Sequence, residues 1–127
     1  MKALVIDDSR AMRSILSGIL ASLDFEVEEA ADGRQALEML GRETAFDIAL
    51  VDWNLPGMSG LEIVIEVRKD PALADTRLLM VTTETEFQRV AQALQAGADE
   101  YIMKPFDRDM LLDKLVILGV PVEPAKA

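Results

Sequence analysis

The stretch Ile48-Ala49-Leu50-Val51-Asp52-Trp53-Asn54-Leu55-Pro56-Gly57 carries the decision about the fold. Its four leading apolar residues do not alternate with polar ones, so they read as a strand buried on both faces rather than a strand with one wet side. The Pro56-Gly57 pair then breaks the chain into a loop. A strand of this kind belongs in a parallel sheet covered by helices above and below.

The same form recurs on either side of it. Ala3-Leu4-Val5-Ile6, Leu78-Leu79-Met80-Val81 and Tyr101-Ile102-Met103 are further short apolar runs. Phe25 and Val27 alternate with Glu26 and Glu28, which predicts a strand with one wet face, at a sheet edge. Between the runs lie segments of helical period. Met12, Ile15, Leu16, Ile19, Leu20 and Leu23 follow Ser9 or Asp8 as N-cap. Ala36, Leu37 and Leu40 run to Gly41, and Leu61, Val64, Ile65 and Arg68 end before Pro71. Thr85 to Gly97 and Asp107 to about Leu118 complete the series. Five β–α units in succession predict an α/β fold around a parallel five-stranded sheet. The expected domain covers residues 1–119, and the segment 120–127, with Pro121 and Pro124, is expected to be a short loose tail.

Composition bounds the chemistry. The 127 residues suit one domain. The chain has no Cys, which excludes disulfides, thiolate nucleophiles and thiolate metal sites. It has no His, which excludes imidazole acid–base chemistry and imidazole ligands. Any metal must be held by oxygen, which favours magnesium, calcium or manganese. With 13 basic and 23 acidic residues the formal charge is −10, a balance that argues against nucleic-acid and acidic-membrane partners. Met1–Ile6 runs straight into Asp7 and Asp8, too short an apolar stretch for a span or a secretory signal, so the expected compartment is the cytoplasm.

In a parallel sheet the strand C-termini share one edge, and ligands bind there. Asp7 and Asp8 follow the first strand, Asp52 the third, Thr82 and Thr83 the fourth, Lys104 and Pro105 the fifth. Singly, Asp8 reads as a helix cap, Lys104 as a surface charge and Thr82 as an ordinary strand-end residue. Together they bring three carboxylates, a hydroxyl and an ammonium to one place. Two like charges 4 Å apart cost ~4 kcal/mol at an effective dielectric of about 20. A hard divalent cation removes that cost. Magnesium suits best, because it takes one or two carboxylates and keeps waters and a phosphate oxygen. The ingredients match phosphoryl transfer to a carboxylate, giving an aspartyl phosphate.

These residues resemble the receiver domains of bacterial two-component response regulators. Asp7-Asp8-Ser9 is similar to the family's acidic pair, and Val51 to Gly60 to its phosphorylation loop. Met80-Val81-Thr82-Thr83 is similar to its hydroxyl segment, and Ala96 to Phe106 to its lysine–proline segment. The resemblance runs from residue 2 to about 118 and makes the expected domain a receiver domain. It implies the doubly wound flavodoxin-like, CheY-like (βα)5 sandwich with strand order 2-1-3-4-5. It implies Asp52 as phosphoacceptor, with Mg2+ (or Mn2+) held by Asp8 and Asp52 directly, by Asp7 through water, and by the backbone carbonyl of Asn54. Lys104 and Thr82 would each contact a phosphoryl oxygen, and the Lys104–Pro105 bond would be cis. Thr82 and Tyr101 would form the switch, while Asn54 and Glu84 would tune dephosphorylation. Thr83 stands where the family prefers a smaller residue, which would narrow access to the acceptor.

The resemblance supplies partners too. A histidine kinase or phosphotransfer protein would bring the missing imidazole as a phosphohistidine. An output protein would bind the face made by the fourth helix, fifth strand and fifth helix. The chain ends after the fifth helix, so the expected output is protein binding rather than an attached output domain. Asp52-Trp53-Asn54 and the Gln95–Lys104 region resemble the chemotaxis type, whose target is a flagellar motor switch protein. A phosphorelay shuttle and a non-phosphorylated interaction module are the alternatives, and the intact acidic, Thr82 and Lys104 set argues against the second. Phe87, Val90 and Leu94 fit a core stripe or, alternatively, partner anchors. A monomer is expected, with the apolar last helix offering a face for a dimer.

Overall fold

Alternation along the inner strands divides their side chains between two cores, which is why those strands carry continuous apolar runs. In the computed structural model, which describes residues 1–42, 46–120 and 122 with the side chains of Glu84 and Thr85 outside the described set, β1 is Lys2–Ile6, β2 Glu26–Ala30, β3 Ile48–Asp52, β4 Arg77–Thr82 and β5 Glu100–Met103. All pairings are parallel and the order is β2-β1-β3-β4-β5. Ala3, Val5, Ile48, Leu50, Leu79, Val81 and Ile102 point to one face, and Leu4, Ile6, Ala49, Val51, Leu78 and Met80 to the other. Helices α1 (Arg10–Ser22) and α5 (Arg108–Ile117) cover the first face through Leu16, Leu20, Leu111 and Leu115. Helices α2 (Gly33–Leu40), α3 (Gly60–Arg68) and α4 (Val90–Ala96) cover the second through Ala36, Leu40, Ile63, Val64, Val67 and Ala93. β2 is an edge strand, as its alternating acids predict.

Caps set where the helices begin. Ser9 accepts from the Met12 amide at 3.2 Å, so Ser9 rather than Asp8 caps α1 and Asp8 is left to the loop. Asp32, Ser59 and Asp107 accept from Gln35, Glu62 and Met110 in the same way. Among the described residues no helix is long and apolar enough to cross a membrane.

Two elements differ from the sequence expectation. The continuous helix expected over 85–97 is a 3-10 segment, Glu84–Arg89, followed by a short α4. Glu86 bends back onto Thr83 there, and this holds the chain in the tighter winding. The packed chain also reaches beyond residue 119. Val120 is buried, its amide donates to the Leu115 carbonyl at 3.0 Å, and Val122 packs against the same core. Gly119 turns the chain at φ 74°, and the turn brings Val120 back onto the core. Of the expected tail, Pro121 and residues 123–127 lie outside the described residues.

Candidate functional site

β1 and β3 are neighbours, but the chain leaves β1 for β2 on one side and later returns to β3 on the other. That reversal opens a crevice at the C-terminal edge of these two strands. Asp7, directly after β1, and Asp52, the last residue of β3, stand in it. The Asp7 backbone is tied down twice: its amide donates to the Ala30 carbonyl at 3.1 Å, and the Arg13 guanidinium donates to its carbonyl at 2.8 Å. Its Oδ1 accepts from the Ser9 amide at 2.8 Å. Asp8 is exposed at the mouth, and oxygens of Asp7, Asp8 and Asp52 all lie within 4.8 Å of one another.

Lys104 reaches in from the end of β5. Its Nζ lies 3.3 Å from Asp52 Oδ1 and 3.5 Å from Asp7 Oδ2. The Lys104 amide donates to the Thr82 carbonyl at 2.7 Å, and the Lys104–Pro105 bond is cis. One ammonium against three carboxylates leaves the pocket short of positive charge. Asp52 registers this: burial first, then repulsion from Asp7, push its carboxyl up from 3.8 to about 6, against the pull of Lys104, with Glu86 adding a smaller push. Asp7 Oδ2 registers it as well, being the buried side-chain oxygen among the described residues that no hydrogen-bond donor satisfies. A hard cation with oxygen ligands fits both observations.

The other expected site residues fall into two groups. Thr82 is fully buried at the end of β4, and its hydroxyl donates to the Thr83 carbonyl at 3.2 Å, so it borders the site without a bond to Asp52. Asn54 is exposed in the loop after β3, and its side-chain amide donates to the Glu86 carboxylate. Tyr101 stands away from the carboxylates, on the α4–β5 surface. Its ring meets Phe87 edge-on at 5.5 Å, and Lys114 Nζ lies 4.6 Å over it. The Glu84 side chain lies outside the described residues. Of the apolar stripe on the fourth helical segment, Val90 is core, whereas Phe87 is 43 % and Leu94 39 % exposed. With Ala91 and Tyr101 the two line a shallow apolar groove of about 470 Å³. On α5, Leu111, Leu112 and Leu115 are core, and Val116 and Ile117 are exposed.

Sequence reasoning missed three contributors. Gly60 brings the start of α3 against the end of β3, its amide donating to the Trp53 carbonyl at 2.9 Å. A Cβ there would meet the Asp52 carbonyl oxygen at 2.5 Å, so only glycine permits the approach. Arg13 anchors the Asp7 carbonyl, for which the sequence carries no signal. Glu86 is buried between two loops, and the Thr83-x-x-Glu86 spacing is a capping-box pattern that was open to reading.

The fold and the pocket agree with what is known of similar proteins. The response regulator receiver domain family matches residues 3–116. The chain is 40% identical over 116 residues to chemotaxis protein CheY-3 of Vibrio cholerae, covering 91% of this chain and 88% of that one. It is 42% identical over 121 residues to chemotaxis protein CheY1 of Helicobacter pylori, covering 94% and 98%. The solved structure of Vibrio cholerae CheY4 superposes with a TM-score of 0.85 at 38% identity, covering 92% of this chain and 97% of that one. Receiver domains bind Mg2+ at an acidic pocket, and Asp7, Asp8 and Asp52 form such a cluster here. A parallel sheet in this strand order, with its carboxylates at the switch-point edge and a family match over almost the whole length, makes this chain a member of the response regulator receiver domain family, a phosphorylation-dependent signalling switch.

Proposed function

We propose that Asp52 accepts the phosphoryl group and that Asp7, Asp8, Asp52 and the Asn54 carbonyl hold Mg2+ beside it. The observation that carries this reading is the Lys104 ammonium 3.3 Å from Asp52 Oδ1 and 3.5 Å from Asp7 Oδ2, in a pocket whose carboxylates still outnumber it. Bound Mg2+ would neutralise the carboxylates and the incoming phosphoryl oxygens. An Asp52 carboxylate oxygen forms the new P–O bond. The P–N bond of a donor phosphohistidine breaks, and the leaving imidazole nitrogen keeps the bonding pair and takes a proton. Lys104 pairs with one phosphoryl oxygen, and Thr82, once its hydroxyl leaves the Thr83 carbonyl, with another. With no histidine of its own, the chain positions and stabilises while the partner donates.

The output we assign is chemotaxis signalling by phosphorylation-dependent protein binding. The CheY relatives favour it, and so does the apolar groove of Phe87, Val90, Ala91, Leu94 and Tyr101, which offers aromatic anchors to a partner such as a motor switch protein. Asn54 and Glu84 tune the phosphorylated lifetime in this reading. We place the receiver unit at residues 1–119, with Val120 and Val122 packed against its core. Labelling with a small phosphodonor, with and without Mg2+, tests the acceptor. A Mg2+-dependent, acid-stable and base-labile phosphate on the wild type, absent from Asp52→Ala, is the expected result; equal labelling of both proteins would sink it. Incubation of the labelled protein with phosphotransfer domains tests the output, because rapid reverse transfer would mark a relay shuttle instead.

A further inference from the structure

Glu86 is a carboxylate with 7 % exposure that belongs neither to the acidic pocket nor to the core. Its Oε1 accepts from the Thr83 amide at 3.0 Å and from the Thr83 hydroxyl at 2.9 Å. Its Oε2 accepts from the side-chain amide of Asn54, across the gap between the β4–α4 and β3–α3 loops. A capping box needs only the first of these contacts, so the bond to Asn54 serves something else. The segment around Glu86 is wound as a six-residue 3-10 turn, Glu84–Arg89, longer than the three or four residues such winding usually sustains. The donors Glu86 holds belong to the two loops that flank the phosphoacceptor. β3 and β4 are paired with Asp52 opposite Val81, so Thr83 lies just beyond Asp52 on the neighbouring strand, and Asn54 is two residues along the chain.

We propose that Glu86 is an internal anion latch, a positioning residue whose carboxylate holds the Asn54 and Thr83 donors in the resting state and competes for them with the phosphoryl group on Asp52. The inference rests on Asp52 being the acceptor. A phosphoryl group there offers oxygens to the same donors and sets additional negative charge against Glu86. The latch then opens, and the two loops exchange an internal carboxylate for the phosphoryl oxygens.

The test uses beryllofluoride with Mg2+ as the phosphoryl analogue, read by fluorescence of Trp53, the chain's single tryptophan, which is buried next to Asp52. Glu86→Gln keeps an oxygen for the Thr83 amide but replaces the charged acceptor facing Asn54 with a neutral amide, so it weakens the latch without removing the cap. It is expected to bind the analogue about 10-fold more tightly, the low end of what one released charge-assisted hydrogen bond is worth. Glu86→Asp, too short to reach Asn54 while capping Thr83, is expected to do the same. Mg2+ alone should bind both variants no more tightly than the wild type. The gain should vanish when Asn54→Ala is added, because the latch has then already lost its partner. Unchanged binding in Glu86→Gln and Glu86→Asp overturns the latch. A gain that survives intact with Asn54→Ala also overturns it, by showing a through-space charge effect alone. Failure of the wild type itself to bind the analogue overturns the acceptor reading, and the latch with it.

Discussion

Replacing Asp52 with asparagine should stabilise the metal-free protein, although it removes a partner of Lys104. The reason lies in the balance at Asp52: its ion pair with Lys104 at 3.3 Å is outweighed by burial and by Asp7, so the carboxyl sits at about 6 instead of 3.8. A rise of that size corresponds to ~3 kcal/mol against the charged form at full strength. Solvent at the pocket mouth screens part of it, leaving ~1–2 kcal/mol at neutral pH. Between pH 3.8 and about 6 the folded protein keeps a proton on Asp52 that the unfolded chain has released. Wild-type stability therefore falls as pH rises through that window, and above it the whole cost is present. The Asp52→Asn variant has nothing to titrate at this position, so the difference between the two proteins should be near zero at pH 4 and reach its plateau by about pH 7. For a chain of this length ~1–2 kcal/mol is a rise of roughly 4–7 °C in Tm. The assay is urea and thermal unfolding by circular dichroism from pH 4 to 8 in EDTA, with the pair of proteins compared at each pH so that the other acids cancel. Added Mg2+ should close the gap, since a ligand at ten times its Kd adds ~1.4 kcal/mol to the protein that binds it best. An Asp52→Asn protein no more stable than wild type at pH 7.5 in EDTA, or a gain equally large at pH 4, would refute the charge-crowding account of the pocket.

Gly60→Ala places a methyl 2.5 Å from the Asp52 carbonyl oxygen, so it should cost ~2–3 kcal/mol in chemical denaturation and lower the rate of labelling at Asp52. Lys104→Met removes the cation that holds the Asp52 carboxyl down, so in EDTA its pH-dependent loss of stability should extend to higher pH than in the wild type, and labelling by a small phosphodonor should fall. Arg68→Ala loses guanidinium bonds to the Gly97, Leu73 and Thr76 carbonyls and to Asp99, so a drop of ~2–4 kcal/mol is expected by urea titration, with Mg2+ affinity unchanged because the clamp stands at the other end of the sheet. Phe87→Ser should cost under ~1 kcal/mol, since the ring is 43 % exposed, yet weaken binding of an output partner at the α4–β5 groove in a pull-down with the phosphorylated protein.

The inner strands were legible because their residues obey one rule. Ile48-Ala49-Leu50-Val51 is apolar throughout since Ile48 and Leu50 meet α1 and α5 while Ala49 and Val51 meet α2, α3 and α4. The pocket was legible for a related reason: a residue just past a buried strand must emerge on the shared edge, so strand ends alone bring Asp7, Asp52 and Lys104 together. Side-chain contacts between loops obey no such rule. Asn54 and Glu86 are 32 residues apart, and their bond depends on how far two loops project from the sheet, which no local pattern encodes. The fate of Phe87, Val90 and Leu94 was ambiguous for another reason. Helical spacing shows that they share a side but not how wide the buried stripe is, and the 3-10 winding before α4 turns Phe87 out of the stripe that Val90 keeps.

The two ends of the α4 region are held by unlike means, and this bears on how the proposed phosphorylation of Asp52 would reach the groove. The C-terminal end is clamped: Arg68 donates to the Gly97 carbonyl at 2.8 Å and to Asp99 Oδ2 at 2.9 Å, and the same Asp99 oxygen accepts from the Leu78 amide at 2.8 Å, which ties the end of α4 to β4. The N-terminal end is tied through one carboxylate, Glu86, to the loops around Asp52. A helix fixed at one end and latched at the other responds to loss of the latch by moving about the fixed end. Phe87 is next to the latch in sequence and touches Tyr101 at 5.5 Å, so opening the latch shifts the aromatic pair that forms the groove. On this reasoning Arg68→Lys, which keeps the charge but not the fan of bonds, should leave analogue binding at Asp52 intact while reducing its effect on Tyr101, followed by side-chain NMR of the single tyrosine. Equal Tyr101 shifts in wild type and Arg68→Lys would show that the clamp is structural only and that the groove responds without a fixed pivot.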